Sequence, residues 1–233
     1  MKPGHSAFSF RDVRTSSGDT SLVSAQRGNP ASVEGNKGRV PSVLTSLKEK
    51  AECPGFSGRL TEISSSVSGS PLTLTFKLVL EAQRAGEPVA WIGRKDAPFY
   101  PPDVADAGVD LAALPVVWTA SAVMAAKAAD LLVRSGAFGL VVLDLGSEAR
   151  LPMHATSRLA MLARQHDAAI VCLTGKEATR ASLGPLVSLR AHTASRTRSE
   201  GGRFRCEAVA LKDKRQPVAW KLTEVCRGPD GLH

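Results

Sequence analysis

The chain has 233 residues, with 30 Lys and Arg against 22 Asp and Glu and a formal net charge of +8. Its 43% hydrophobic and 22% charged content suffices for one full core and excludes wholesale disorder. No apolar run reaches the roughly 18 residues of a membrane span, and the N-terminal MKPGHSAFSFRDVR lacks the apolar stretch of a secretory signal. Cys53, Cys172, Cys206 and Cys226 stand far apart with no CxxC pair, so they read as reduced thiols of a cytoplasmic protein.

Residues 1–40 are rich in Ser, Thr and Gly, the composition of a flexible segment. From Pro41, PSVLTSLKEKAE places Val43, Leu44 and Leu47 on one helical face. GRLTEIS (Gly58 to Ser64) reads as a strand, and Pro71 to Ala85 as a helix opened by proline and closed by Gly86. Pro88 to Ile92 is a buried strand, Pro102 to Ala107 a short helix, and Leu114 to Trp118 a third strand. Ala120 to Ser135 is a helix, Gly139 to Leu145 (GLVVLDL) an apolar strand, Met153 to His166 an amphipathic helix and Ala168 to Leu173 another buried strand. Leu186 to Arg190, Arg205 to Lys212 and Val218 to Leu222 read as antiparallel strands at the C-terminal end. The alternation predicts an α/β fold: a mostly parallel twisted sheet with helices on both faces, confined to residues 41–222, with a mobile tail at 223–233.

Ten of the Lys and Arg residues lie between Arg190 and His233 against five Asp and Glu, so the last fifth of the chain carries most of the net charge. Cations in such density suit a polyanion. With 5% aromatic residues and one tyrosine, base-stacking platforms are poorly supplied.

Ligands of open α/β sheets bind at the carboxyl ends of the strands. The first strand runs into a small-residue loop, Ser64-Ser65-Ser66-Val67-Ser68-Gly69-Ser70-Pro71-Leu72, which has the position and length of a phosphate cradle. Such a cradle needs glycines, a lysine for the outer oxygens and a hydroxyl for magnesium. Here Ser65 and Ser70 fill the glycine slots, Pro71 the lysine slot and Leu72 the hydroxyl slot, and a register using Gly69 still has no lysine. The loop therefore reads as a serine-rich helix-capping turn. Asp144, ending GLVVLDL, is placed to hold a magnesium-bound water or, without a phosphate loop opposite, to act as a turn residue. His154, His166 and His192 have no carboxylate or cysteine at ligand spacing, so no metal site and no cofactor are expected. Trp91, Trp118 and Trp220 read as core or interface packing.

GRLTEIS, its loop and LTLTFKLVLEAQRAGEPVAWI resemble the strand, Walker A loop, helix and strand of a RecA-type recombinase core. AGVDLAALPVV, AKAADLLVRSGAFGLVVLDL, AAIVCLTGK and EAVALKDKRQP continue the resemblance in matching order from about Gly55 to Leu222. In that alignment Pro71 replaces the Walker lysine, and Lys95 of WIGRKDAP replaces the glutamate that activates water. A lysine is no general base at neutral pH without an extreme pKa shift. The resemblance thus implies a chain that does not hydrolyse ATP. The DNA-binding loops are shortened; Arg150, Lys176 and Arg180 remain as candidate phosphate contacts or ordinary surface charges. Lys212 and Lys214, with Arg215 beside them, match the K-x-K pair that RecA subunits extend toward a neighbour's ATP, or form a solvated strand end.

A core of this length with a degenerate Walker A is similar to the ImuA family and, more remotely, to the SulA cell-division inhibitors. The resemblance implies an accessory protein of damage-induced translesion mutagenesis that contacts RecA or an ImuB-type polymerase homologue. A basic DNA-binding protein and a SulA-like division inhibitor are the alternative readings.

Overall fold

The computed structural model describes residues 55–66, 71–95, 99–147, 149–198, 203–215 and 221–227. The N-terminal segment, the helix expected from Pro41, Cys53, Gly69 and Ser70 lie outside these residues. In chain order the elements are β1 (Arg59–Ser65), α1 (Pro71–Arg84), β2 (Val89–Arg94), α2 (Pro101–Asp106), β3 (Val116–Thr119), α3 (Ala122–Arg134), β4 (Leu140–Gly146), α4 (Met153–His166), β5 (Ala169–Thr174), β6 (Leu189–Arg198), β7 (Arg203–Asp213) and β8 (Lys221–Arg227).

The strands form one sheet in the order β3-β2-β4-β5-β1-β6-β7-β8. From β3 to β6 every pairing is parallel, and β7 and β8 add antiparallel strands at the far edge. The centre is β4 and β5, whose side chains are buried on both faces because helices cover both. Val141, Leu143, Ile170 and Cys172 pack with α3 and α4 on one face. Leu140, Val142, Val171 and Leu173 pack with α1 and α2 residues such as Val79 and Val104 on the other. This is the expected α/β class, with its parallel body and antiparallel end.

Local chemistry sets the helix ends. Pro71 opens α1, where its fixed φ suits a helix and its missing N–H leaves no intrahelical bond unmade. Gly86, at φ +78°, turns the chain out of that helix. In α3 the Ser121 hydroxyl accepts from the Met124 N–H at 3.3 Å, an N-cap, and Gly136 at φ +70° follows the last turn. Asp167 closes α4 in the left-handed region, and the Ser57 hydroxyl donates to its carbonyl at 2.7 Å.

Of the C-terminal strands, the one expected over Arg205 to Lys212 is β7, antiparallel as expected, and the two others depart in their bounds. The strand expected over Leu186 to Arg190 starts at Leu189 and runs to Arg198; it is parallel to β1 and antiparallel to β7. Of the strand expected over Val218 to Leu222, residues 218–220, with Trp220, lie outside the described residues; β8 begins at Lys221, reaches Arg227 and crosses the expected domain boundary at Leu222. Its register, Arg203 opposite Arg227 through Val209 opposite Lys221, is set by β7. That long-range pairing has no trace in a local window.

Candidate functional site

Two neighbouring regions toward the carboxyl ends of the parallel strands hold most of the singled-out residues, while Lys212, Lys214 and Arg215 lie at the amino end, beside the starts of β6 and β1. The first is the corner where β1 gives way to α1 beside the ends of β2 and β4. Ser65 is buried within the sheet, opposite Thr193 of β6. Pro71 is the first residue of α1, and the Thr75 hydroxyl donates to its carbonyl at 2.7 Å. Leu72, the residue expected in the hydroxyl slot, is half-buried and packs against the apolar cluster that includes Phe76 and Trp91. Lys95 is exposed just past β2, and Asp144 is buried in β4.

Around this corner Phe76 stacks on Trp91 with ring centroids 4.9 Å apart. Phe99 meets Phe76 at 5.8 Å and Trp91 at 5.4 Å, and reaches Trp118 of the edge strand β3 edge-on at 6.0 Å. Trp91 is core, whereas Trp118 is 44% exposed. Across the β2–β4 boundary, a Cβ at Gly146 (φ +73°) would lie 2.7 Å from the Arg94 guanidinium, so only glycine lets that side chain cross the strand end.

The second region centres on Glu62, which is fully buried on the α4 side of β1 two residues before its Ser64. Its carboxylate accepts from the Thr174 hydroxyl at 2.9 Å, the Ser182 hydroxyl at 2.7 Å and the Leu183 N–H at 2.9 Å. Lys176 and Arg190 each bring a cationic nitrogen to 3.8 Å. Arg190 also donates to the carbonyls of Arg180 at 2.6 Å and Glu177 at 3.1 Å, tying the loop after β5 onto the sheet. Next to it the Ser64 hydroxyl lies 3.1 Å from Nδ1 of His192. Burial holds the His192 pKa below its ordinary value, with Glu177 opposing and Arg190 reinforcing the shift. Burial, then Glu62, pushes the Cys172 thiol up, so it is an inert core group.

The cations singled out in the sequence divide accordingly. Lys176 is an ion-pair partner of Glu62, while Arg180 and Arg150 are exposed. Lys212 and Lys214 do not stand free. Both ammonium groups donate to the Pro185 carbonyl, at 3.3 and 2.6 Å. Burial, then the neighbouring Lys214 charge, holds the Lys212 pKa down. Arg215 donates to the carbonyls of Ser57 at 2.9 Å and Gly58 at 3.0 Å.

Sequence reasoning passed over Glu62 and a second buried pair, Arg59 with Asp213, which joins the start of β1 to the end of β7 with help from Ser188. The signal was present. In RLTEISS the glutamate shares a strand face with Leu60, and a charge on a core-facing position requires a partner. No group of three or more His, Cys, Asp or Glu placed to hold a metal occurs among the described residues. No described helix is long and apolar enough to cross a membrane.

No protein-family model matches the chain. It is 39% identical over 107 residues to Protein RecA of Nocardioides sp., an overlap of 45% of this chain and 30% of that relative. Protein RecA of Leifsonia xyli subsp. xyli is 41% identical over 88 residues, 37% of this chain and 24% of the relative. Protein RecA of Rubrobacter xylanophilus is 42% identical over 88 residues, 37% of this chain and 25% of the relative. The matched part thus spans less than a third of these relatives. The chain is related to RecA over that part, and its sheet with helices on both faces and an antiparallel C-terminal end is a RecA-like α/β fold.

Proposed function

We propose that this chain is a non-catalytic, RecA-like accessory protein of the ImuA kind. It acts in damage-induced translesion mutagenesis through contacts with RecA or with an ImuB-type polymerase homologue. The observation that carries this reading is the β1–α1 corner: α1 opens on Pro71, and Leu72 is packed into the apolar cluster, where a nucleotide site needs a lysine and a hydroxyl. Lys95 at the end of β2 supplies a cation where hydrolysis needs a base. Phosphoryl transfer rests on positioning and charge stabilisation, and this corner offers neither.

Contact with RecA would use the converged Lys212 and Lys214. Two ammonium groups sharing one carbonyl are under-neutralised and form a preorganised anion acceptor. A chain that offers this face to a nucleotide-bearing RecA subunit, with no nucleotide face of its own, ends a head-to-tail filament. The test pairs equilibrium binding of labelled ATP with RecA pull-down and filament disassembly. Expected are no ATP binding, RecA capture by the unaltered chain, and loss of capture and disassembly in Lys212→Ala/Lys214→Ala. ATP binding would overturn the non-catalytic reading, and undiminished RecA capture by the double variant would overturn the docking face.

The cation-rich end of β6 and β7 favours a second reading, direct binding of single-stranded DNA. A steep loss of DNA affinity with added salt, and no capture of RecA, would support it.

A further inference from the structure

The α3–α4 layer carries a surface that neither the nucleotide corner nor the Glu62 network explains. Of the 4 methionines in the sequence, three lie on these two helices. All three are exposed: Met124 by 49%, Met153 by 62% and Met161 by 47%. Leu131, seven residues after Met124 and so on the same face of α3, is 60% exposed. Both helices already bury another face, through Ala125, Ala129 and Val133 of α3 and Leu159, Leu162 and Ala163 of α4. The outward residues therefore add nothing to the core. They are large, flexible and apolar, the kind of side chain that moulds to a partner.

The charges on the same helices are one-sided. α3 and α4 carry Lys127, Arg134, Arg158 and Arg164 against a single acid, Asp130, a net +3 with the histidines neutral. Asp130 is occupied within the layer: Arg158 bonds it at 2.7 Å, bridging α4 to α3, and Arg134 lies at 3.9 Å. The opposite layer, α1 and α2, carries Glu81, Asp103 and Asp106 against Lys77 and Arg84.

We propose that the outer face of α3 and α4 docks an acidic amphipathic helix of a partner protein. The apolar side of that helix would cover Met124, Leu131 and Met161, and its carboxylates would face Lys127, Arg164 and the Arg134–Arg158 pair. This is the groove-and-helix mode, in which apolar anchors give affinity and flanking charges give orientation. Two other occupants fit less well. A second copy meeting this face with its own would oppose +3 to +3. A nucleic acid would use the cations but leave the methionines unmatched, and neither helix has a Phe, Tyr or Trp for base stacking. The surface is separate from the corner and from Lys212 and Lys214, so the inference stands or falls independently of the proposed function.

The probe is a fluorescent synthetic helical peptide with leucine along one face and glutamate on the other, titrated into the full chain. Saturable binding is expected, with no binding by versions carrying lysine for glutamate or serine for leucine. Met124→Ser/Leu131→Ser/Met161→Ser should weaken binding at least about tenfold, as loss of central apolar anchors does. Lys127→Glu/Arg164→Glu should weaken it and flatten its salt dependence. Circular dichroism of both variants should match the unaltered chain, since every altered residue is exposed. Undiminished binding by the Ser variant, or equal binding of the lysine peptide, would overturn the proposal. So would single-stranded DNA that binds the Ser variant normally but not the Glu variant. Self-association that the Ser substitutions abolish would assign the face to a second copy instead.

Discussion

Strand β1 runs through two regions with opposite fates. Glu62 sits among three hydrogen-bond donors and two cations, with its buried charge matched on every side. A few residues on, α1 opens on Pro71, and a half-buried Leu72 lies against the apolar cluster. The difference follows from what each region does for folding. An unmatched buried carboxylate or guanidinium destabilises the whole domain, so every member of that network holds the others in place. The start of α1, Pro71 and Leu72, is only partly buried and carries no charge to match, so changes there leave the scaffold standing.

Glu62→Ala should have the largest effect, lowering unfolding free energy by about 3–5 kcal/mol, because it strands Arg190 and Lys176 without their counter-charge. Urea denaturation reads this directly, and a cost below about 1 kcal/mol would place Glu62 with ordinary exposed pairs and erase the contrast. Gly146→Ala should cost about 1–3 kcal/mol, since it forces a side chain into the left-handed region and against Arg94. An unchanged thermal midpoint would mean that Arg94 moves aside freely.

The third effect is smaller and depends on pH. His192 has a folded pKa below its ordinary 6.5, so between the two values the unfolded chain binds more protons than the folded one. Stability should be intact above about pH 6.5 and fall as the solution is acidified through that value toward the depressed pKa. His192→Gln should flatten that part of the midpoint-versus-pH curve; an identical curve would assign the acid sensitivity to other groups. The smallest effect belongs to the corner. Pro71→Lys/Lys95→Glu, which introduces a lysine and a carboxylate at the corner, should change stability by no more than about 1 kcal/mol and give no ATP turnover in a phosphate-release assay. Turnover above background would show that only two side chains separate this corner from a working site.

The parallel body was legible because its signals are local. GLVVLDL, short, rich in β-branched residues and bounded by glycines, is a strand buried on both faces, and Met153 to His166 has the expected bounds because Pro152 and Asp167 punctuate it. The places of Pro71, at the start of α1, and of Lys95, just past β2, were equally legible, because helix punctuation and strand length are local. The antiparallel strand expected over Arg205 to Lys212 was legible as β7, but the bounds of β6 and the reach of β8 were not, because those come from long-range pairing. Nor were the roles of the cations. Lys176, Lys212 and Lys214 look alike on paper, yet one neutralises Glu62 and the other two converge on Pro185.

By itself the sequence determined which elements form, the order in which a RecA-like chain uses them, and which residue types stand at the start of α1 and the end of β2. Those properties follow from side-chain periodicity, helix punctuation and residue identity, all carried within a few positions. The tertiary structure decided which charges are matched, and by what. The fold brings Glu62 to residues more than a hundred positions away and sets Arg158 of α4 against Asp130 of α3. The energy of a charge depends on its burial and its neighbours, and those exist only once the chain has closed on itself.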